Sequence, residues 1–294
     1  LKAHIDKRGA IIASTDSGML NYWRDAYAYC WPRDGAYVLW PLIRMGYYEE
    51  AYQFFDFCRR GLNSGGFLMH KYRADGAVGS SWHPYVHDDG SVTPPIQEDE
   101  TALVLFLFGQ LYRSTNDHRL MKRFYEPMVV PMADFLASYI DSSTGLPKPS
   151  YDLWEEQYMT TTYTTAVVYA ALSAAADLAD DNHDDGHAVA WRAVASDIAE
   201  AARKHLVNRD RDALYKGLRR HADGSYEPNQ TIDLSSIYGT FMFGLFPADS
   251  DIVERAVRTA RRVFSVSSDH PGVPRYENDN YRRRNPASLG NWWF

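Results

Sequence analysis

The feature that most constrains this chain is a rhythm. Stretches with helical apolar patterning occupy residues 35–46, 49–62, 100–115, 118–140, 164–180, 187–206 and 251–264. Several carry apolar residues at three-to-four spacing, and others are apolar nearly all round, as in an inner layer. Between them recur long loops rich in polar and aromatic residues: RDAYAYCWPRDG (24–35), SSWHPYVHDDGSVTPPIQEDET (80–101), STGLPKPSYDLWEEQ (143–157), DGSYEPNQTID (223–233) and HPGVPRYENDNYRRRNPASLGN (270–291). Their helix-entry points lie about 50 to 75 residues apart, room for one helical hairpin plus loops. A ring of antiparallel helix pairs would bring these loops to one end. The expected fold is therefore all-α, an α/α toroid of inner and outer helices. Strand-like alternation is confined to FLMHKY (67–72) and ALYKGL (213–218), each near an Asp-Gly turn, and predicts short β-hairpins on the loops. No Pro/Gly/Ser-rich linker divides residues 1–294, so one domain is expected.

Composition narrows the function. Eight Trp, 21 Tyr and 13 Phe make aromatics 14% of the 294 residues, a surplus that suits a pocket stacking flat, amphipathic ligands such as sugar rings. The formal net charge of −7 disfavours a phosphate-backbone partner, and Arg282-Arg283-Arg284 reads as a solvated loop. No apolar run has the length of a membrane span, and no charged-apolar-small leader opens the chain. Two cysteines, Cys30 and Cys58, form no disulfide framework and read as buried thiols; so few cysteines fit a cytoplasmic enzyme slightly better than a secreted one. The chain opens on Leu1 rather than Met, as after processing or from within a longer protein.

The stretch KPSYDLWEEQYMT (148–160) sets Asp152, Glu155 and Glu156 around Trp154, ahead of what reads as a helix. Acids at a helix start complement the dipole and cap free N–H groups, which accounts for one of them. It accounts less well for the tryptophan and the second glutamate. Two carboxylates crowded against an indole raise the proton affinity of at least one, and a glutamic acid kept protonated is what a glycosidase uses on its leaving oxygen. YAYCWPRDG presents Tyr27, Trp31, Arg33 and Asp34 together, either as a clamp on sugar hydroxyls or as a buried Arg–Asp pair locking a helix start. PRYENDNY repeats the recipe with Arg275, Tyr276, Asp279 and Tyr281, and SSWHPYV supplies Trp82 and His83. His83 and His87 are four apart, but Pro84 opposes a helix there and no third metal ligand is apparent. DDNHDDGH (180–187) resembles a calcium loop, yet counted from Asp181 it puts His183 at the third position and Arg192 at the twelfth, so a polar interhelical turn is expected. No glycine-rich loop fits a phosphate or dinucleotide, and no cofactor or metal is expected.

Taken together, YAYCWPRDGAYVLWPLIRMGYYEEAYQFFDF, GSSWHP…PIQEDETALVL, SYDLWEE and PRYENDNY…GNWWF resemble, in order, the loops of glycoside hydrolase family 15, the glucoamylase family, from about residue 8 onward. The resemblance implies an (α/α)6 barrel and exo-acting, inverting hydrolysis that releases β-D-glucose from the non-reducing ends of α-glucans. It implies Glu155 as general acid, with Asp152 and Glu156 supporting it and binding sugar. Arg33 and Asp34 would hold hydroxyls of the terminal glucose, Trp31 and Tyr27 would wall the pocket beside Trp154, and Arg275 would contact the sugar next to the cleaved bond. Trp82 would shape the rim. Two departures stand out. RRRNPASLGNWWF inserts residues where the family has a pocket wall, and no motif for the catalytic base precedes Phe294. The resemblance thus implies a barrel short of six full helix pairs, lacking its base and weakly active or silent alone, from a parent that also carries an N-terminal β-sandwich. Within the family, trehalose or isomalto-oligosaccharides are alternative substrates; outside it, the alternative is a saccharide-binding toroid without catalysis.

Overall fold

The computed structural model describes residues 1–15, 27–81, 83–87, 90, 92–264 and 273–279. Trp82, the arginine run at 282–284 and the insertion at 282–289 therefore lie outside the described residues. The chain separates into two compact units, one of residues 1–140 and 170–195, the other of residues 141–169 and 196–294.

The first unit is built from helices α1 (Pro32–Arg44), α2 (Tyr48–Gly61), α3 (Glu98–Thr115), α4 (His118–Phe124) and α5 (Val130–Ser138). It also holds residues 170–181 of α6 (Thr162–Asp181) and 185–195 of α7 (Asp185–His205). α3 is its centre. Residues Glu98 to Gly109 are all buried, together with Leu111 and Tyr112, so the all-round apolar pattern does mark an inner helix. α2 packs through Phe55, whose ring meets Phe108 of α3 edge-on at 5.3 Å, and α1 through Trp40, edge-on to Phe106 at 5.2 Å. Gly109 faces Ala174 of α6 so closely that an added Cβ would stand 3.0 Å from the alanine methyl. Cys30 and Cys58 are free and fully buried, and burial pushes both thiols up.

The apolar pattern over 118–140 reads as one helix, but the backbone divides it. α4 ends at Phe124, a π turn runs Tyr125–Val129, and α5 follows. Pro127 and Pro131 lack the N–H groups that would continue the ladder, and the wider turn accommodates them. FLMHKY forms no strand; only Tyr72 pairs, with Cys30 and across the Asp75-Gly76 turn with Val78.

The second unit carries the strands. β1 (Ser150–Tyr151), β2 (Tyr158–Thr161), β5 (Gly217–Arg220) and β6 (Tyr226–Asn229) form an antiparallel sheet in the order β1-β2-β5-β6, and β3 (Val207–Asn208) pairs β4 (Ala213–Leu214). The β5–β6 hairpin turns on Asp223-Gly224, with Gly224 at φ 83°. ALYKGL does not run as one strand, because Tyr215 and Lys216 interrupt it between β4 and β5. Thr160 pairs Leu218 and Thr161 pairs Gly217, where any Cβ would stand 2.2 Å from the Thr160 carbonyl oxygen. α8 (Leu234–Met242) packs against α9 (Asp251–Val263), and α9 packs against β4. α8 escaped the apolar pattern because only nine residues separate its Asp233 cap from Phe243. Among the described residues no helix is long and apolar enough to cross a membrane.

Candidate active site

DLWEEQ is not a helix start. It is the turn of a β-hairpin, closed where Ser150 pairs Met159 and Tyr151 pairs Tyr158. The acids therefore cap no helix, and Asp152 binds the turn's own backbone instead. Its N–H donates to the Gln157 carbonyl at 2.9 Å, and its carbonyl accepts from Glu155 N–H at 2.8 Å. Its Oδ1 accepts from the N–H groups of Glu156 and Gln157 at 2.8 and 3.1 Å. This is an Asx-type turn, in which a short side chain replaces backbone partners. It leaves Glu155 with φ 59°, a left-handed conformation that costs an L-residue roughly 1–2 kcal/mol.

The other Asp152 oxygen lies 2.8 Å from Lys216 Nζ, which is also 3.3 Å from Asp233 Oδ2. All three side chains are at most 2% exposed. Asp233 is the N-cap of α8: its Oδ1 accepts from the N–H and hydroxyl of Ser235 at 2.8 and 2.6 Å. Its Oδ2 accepts the indole N–H of Trp154 at 3.0 Å. Burial pushes the Asp233 carboxyl up against the pull of Lys216. Burial also acts to lower the lysine, but Asp152 and Asp233 outweigh it and hold Lys216 above its ordinary range.

Residues 273–279 return to this place by pairing. The Leu234 N–H donates to the Arg275 carbonyl at 3.0 Å and the Glu277 N–H to the Ile232 carbonyl at 2.8 Å, while Glu277 takes both terminal nitrogens of Arg211 at 3.1 and 3.2 Å. Arg275, 6% exposed, clasps Asp279 through Nε at 2.8 Å and Nη2 at 2.9 Å, and Nη2 reaches Glu156 Oε1 at 2.9 Å. Its guanidinium lies 5.0 Å from the centre of the Trp154 ring. The Tyr276 hydroxyl donates to the other oxygen of Glu156. Burial and this carboxylate push the tyrosine up, while Arg275, despite its burial, is driven up by Asp279 and Glu156. Asp152, Trp154, Glu155, Glu156 and Arg275 thus share one constellation. Lys216, Asp233, Tyr276 and Asp279 complete it. The first two belong to no site motif read from the sequence; the signals available were a cation inside an apolar stretch and a capping Asp before Leu-Ser-Ser-Ile.

The WPRD loop is assembled in the first unit. Arg33 is 3% exposed at the first turn of α1. Its Nη1 lies 3.1 Å from Asp99 and 3.5 Å from Glu100, both wholly buried on α3, and its own N–H donates to Glu100. Its Nε stands 3.6 Å from Asp34, which is one-third exposed. Burial pushes Glu100 well up, Arg33 opposes it, and Asp99 and Asp34 add to the rise. Trp31 stacks on Tyr27 at 5.8 Å and donates its indole N–H to His70 Nε2 at 3.1 Å, which leaves His70 Nδ1 facing the Ser81 hydroxyl at 3.0 Å. Tyr27 is 53% exposed. His83 packs on His70 with ring centres 4.2 Å apart, and His87 Nε2 lies 2.8 Å from the Thr93 hydroxyl. DDNHDDGH is the α6–α7 turn, where Asp184 Oδ1 accepts the His187 N–H at 3.2 Å.

Comparison with known proteins identifies the family and the fold. The profile of glycosyl hydrolases family 15 matches residues 1–294. An uncharacterised glycosyl hydrolase of Methanocaldococcus jannaschii is 24% identical over 288 residues, 98% of this chain and 42% of its own length. The chain therefore spans less than half the length of the curated relative it matches. A bacterial glucoamylase complexed with acarbose superposes with a TM-score of 0.72 at 20% identity, over 96% of this chain and 41% of that one. The Saccharomycopsis fibuligera glucoamylase gives 0.68 at 17%, over 93% and 62%. The architecture is the (α/α)6 class of the glucoamylases. The chain belongs to glycosyl hydrolases family 15.

Proposed function

We propose that this chain carries the acid-bearing part of an inverting exo-α-glucosidase of glucoamylase type, which releases β-D-glucose from the non-reducing ends of malto-oligosaccharides or starch-like glucans. The observation that carries the reading is the hairpin turn of DLWEE, which presents Glu155, the glutamate the family resemblance implies as the acid, on a left-handed backbone between two anchored carboxylates. Asp152 is buried with one oxygen on the turn's N–H groups and the other on Lys216, and Glu156 is bound by Arg275 and Tyr276. Glu155, on its left-handed backbone, takes the part of the proton donor to the leaving oxygen. Arg275 and Glu156 bind the sugar beyond the cleaved bond, with Trp154 as an apolar face. Asp34 accepts hydroxyls of the terminal glucose and Arg33, held by Asp99 and Glu100, orients it, with Trp31 and Tyr27 as the wall. Inversion also requires a carboxylate that activates water, about 6.5–9.5 Å from the acid. No residue of this chain is assigned that part.

The test is Glu155→Gln in the full-length protein, assayed on maltotriose with the product anomer followed by NMR. Glucose release should fall by about 10²–10⁴-fold, while acarbose, the ligand of the bacterial glucoamylase, still binds. Surviving turnover would remove Glu155 as the acid. Release of α-glucose by the parent would rule out inversion. Rates on maltotriose, isomaltose and trehalose rank the linkages.

A further inference from the structure

Two members of the buried cluster at the acid turn, Lys216 and Asp233, enter none of the sugar-binding assignments. We infer that Lys216 and Asp233 are positioning residues for the acid, fastening the Asp152–Gln157 turn so that Glu155 meets the leaving oxygen. The inference rests on the reading of Glu155 as the proton donor.

Burying an ammonium between two carboxylates is a poor route to stability, since desolvation offsets most of the attraction and a well-packed apolar substitute is often as stable. Such a cluster is informative when it fixes a conformation, and here its attachments converge on the turn. Asp152 holds two of the turn's N–H groups with one oxygen and Lys216 with the other. Asp233 holds the first turn of α8 with one oxygen, and with the other both Lys216 and the Trp154 indole. Lys216 is itself fixed on both backbone sides: its N–H donates to the Asn229 carbonyl of β6 at 2.9 Å, and its carbonyl accepts from Thr162 N–H at 2.9 Å. Its Nζ also sits 4.6 Å from the centre of the Tyr276 ring, whose hydroxyl binds Glu156. One ammonium therefore ties the sheet, the α8 cap, the indole beside the acid and the backbone of the acid's own turn. Misplacing a catalytic group by about 1 Å can cost about 10²-fold, so this fastening bears directly on proton transfer.

The experiment separates positioning from general structure by leaving-group demand. Lys216→Met and the near-isosteric Asp233→Asn are compared with Glu155→Gln in the full-length protein. Each is assayed on maltotriose, whose leaving sugar needs a proton, and on α-D-glucopyranosyl fluoride, whose fluoride departs with little help from one. Lys216→Met should lose about 10–100-fold in kcat on maltotriose but stay within about threefold on the fluoride. Should that variant not fold, Asp233→Asn is read by the same criterion. If Glu155→Gln shows the split and the cluster variants lose both substrates equally, or neither, the positioning role is overturned. If Glu155→Gln shows no split, the acid reading itself has failed and takes the positioning role with it.

Discussion

Arg275 shows how much of this site depends on the shape of one side chain. Its guanidinium bridges Asp279 and Glu156 from a nearly closed position, using the side and end of a planar fork. A lysine carries the same charge but cannot clasp Asp279 through two nitrogens and still reach Glu156. Arg275→Lys should therefore destabilise the protein by about 1–3 kcal/mol in chemical denaturation and raise KM for maltotriose more than it lowers kcat. A variant matching the parent in both would show that Arg275 serves only as a charge. At this scale the sequence was informative about the residues that meet sugar in the proposed reaction and silent about those that hold them. Aromatic and charged residues crowded into one loop announce themselves. Lys216 and Asp233 come from different loops, and their partnership with Asp152 exists only once β2 pairs β5 and Asp233 caps α8.

Elements were legible where a long run shared one environment, as in α3, and least so where a local rule was overridden. The acids of DLWEE look like a helix start, but Tyr151 and Tyr158 pair across them and Asp152 satisfies the turn from within, so a hairpin wins. The start of α7 does use the capping rule, and its charge state is testable. His187 Nδ1 lies 2.6 Å from Asp184 Oδ2, which also accepts the Tyr125 hydroxyl at 2.9 Å; Asp134 lies 3.8 Å from its Nε2, and the ring stacks on Trp191. The bond to Asp184 raises His187 above its ordinary 6.5, against some desolvation, and the bond to His187 lowers Asp184 below its ordinary 3.8. A raised histidine stabilises fully below 6.5 and loses that contribution as pH climbs through its folded value; a depressed aspartate loses its contribution as pH falls through its own. The melting-temperature gap between the parent and His187→Gln should thus be widest near pH 5–6 and narrow toward pH 9 and toward pH 3. A gap unchanged from pH 5 to 9 would place no proton in this bond.

At the scale of the whole chain, the −7 charge, the abundant aromatics and the buried thiols were all readable in advance, because each depends on composition or average burial. The division into two compact units was not, since α6 and α7 run through both and no linker marks the boundary. Stability belongs to this scale as well, and the left-handed backbone at Glu155 gives it an unexpected sign. Glycine avoids the Cβ penalty of about 1–2 kcal/mol but gives back about 0.5–1 kcal/mol in unfolded-chain entropy. Glu155→Gly should therefore be more stable by about 0.5–1 kcal/mol and melt higher, while its glucose release falls as in Glu155→Gln. A lower melting temperature would mean the turn stores no strain there. If it does, drift toward robustness alone would erase the acid, and its persistence in a lineage would record selection for turnover rather than for folding.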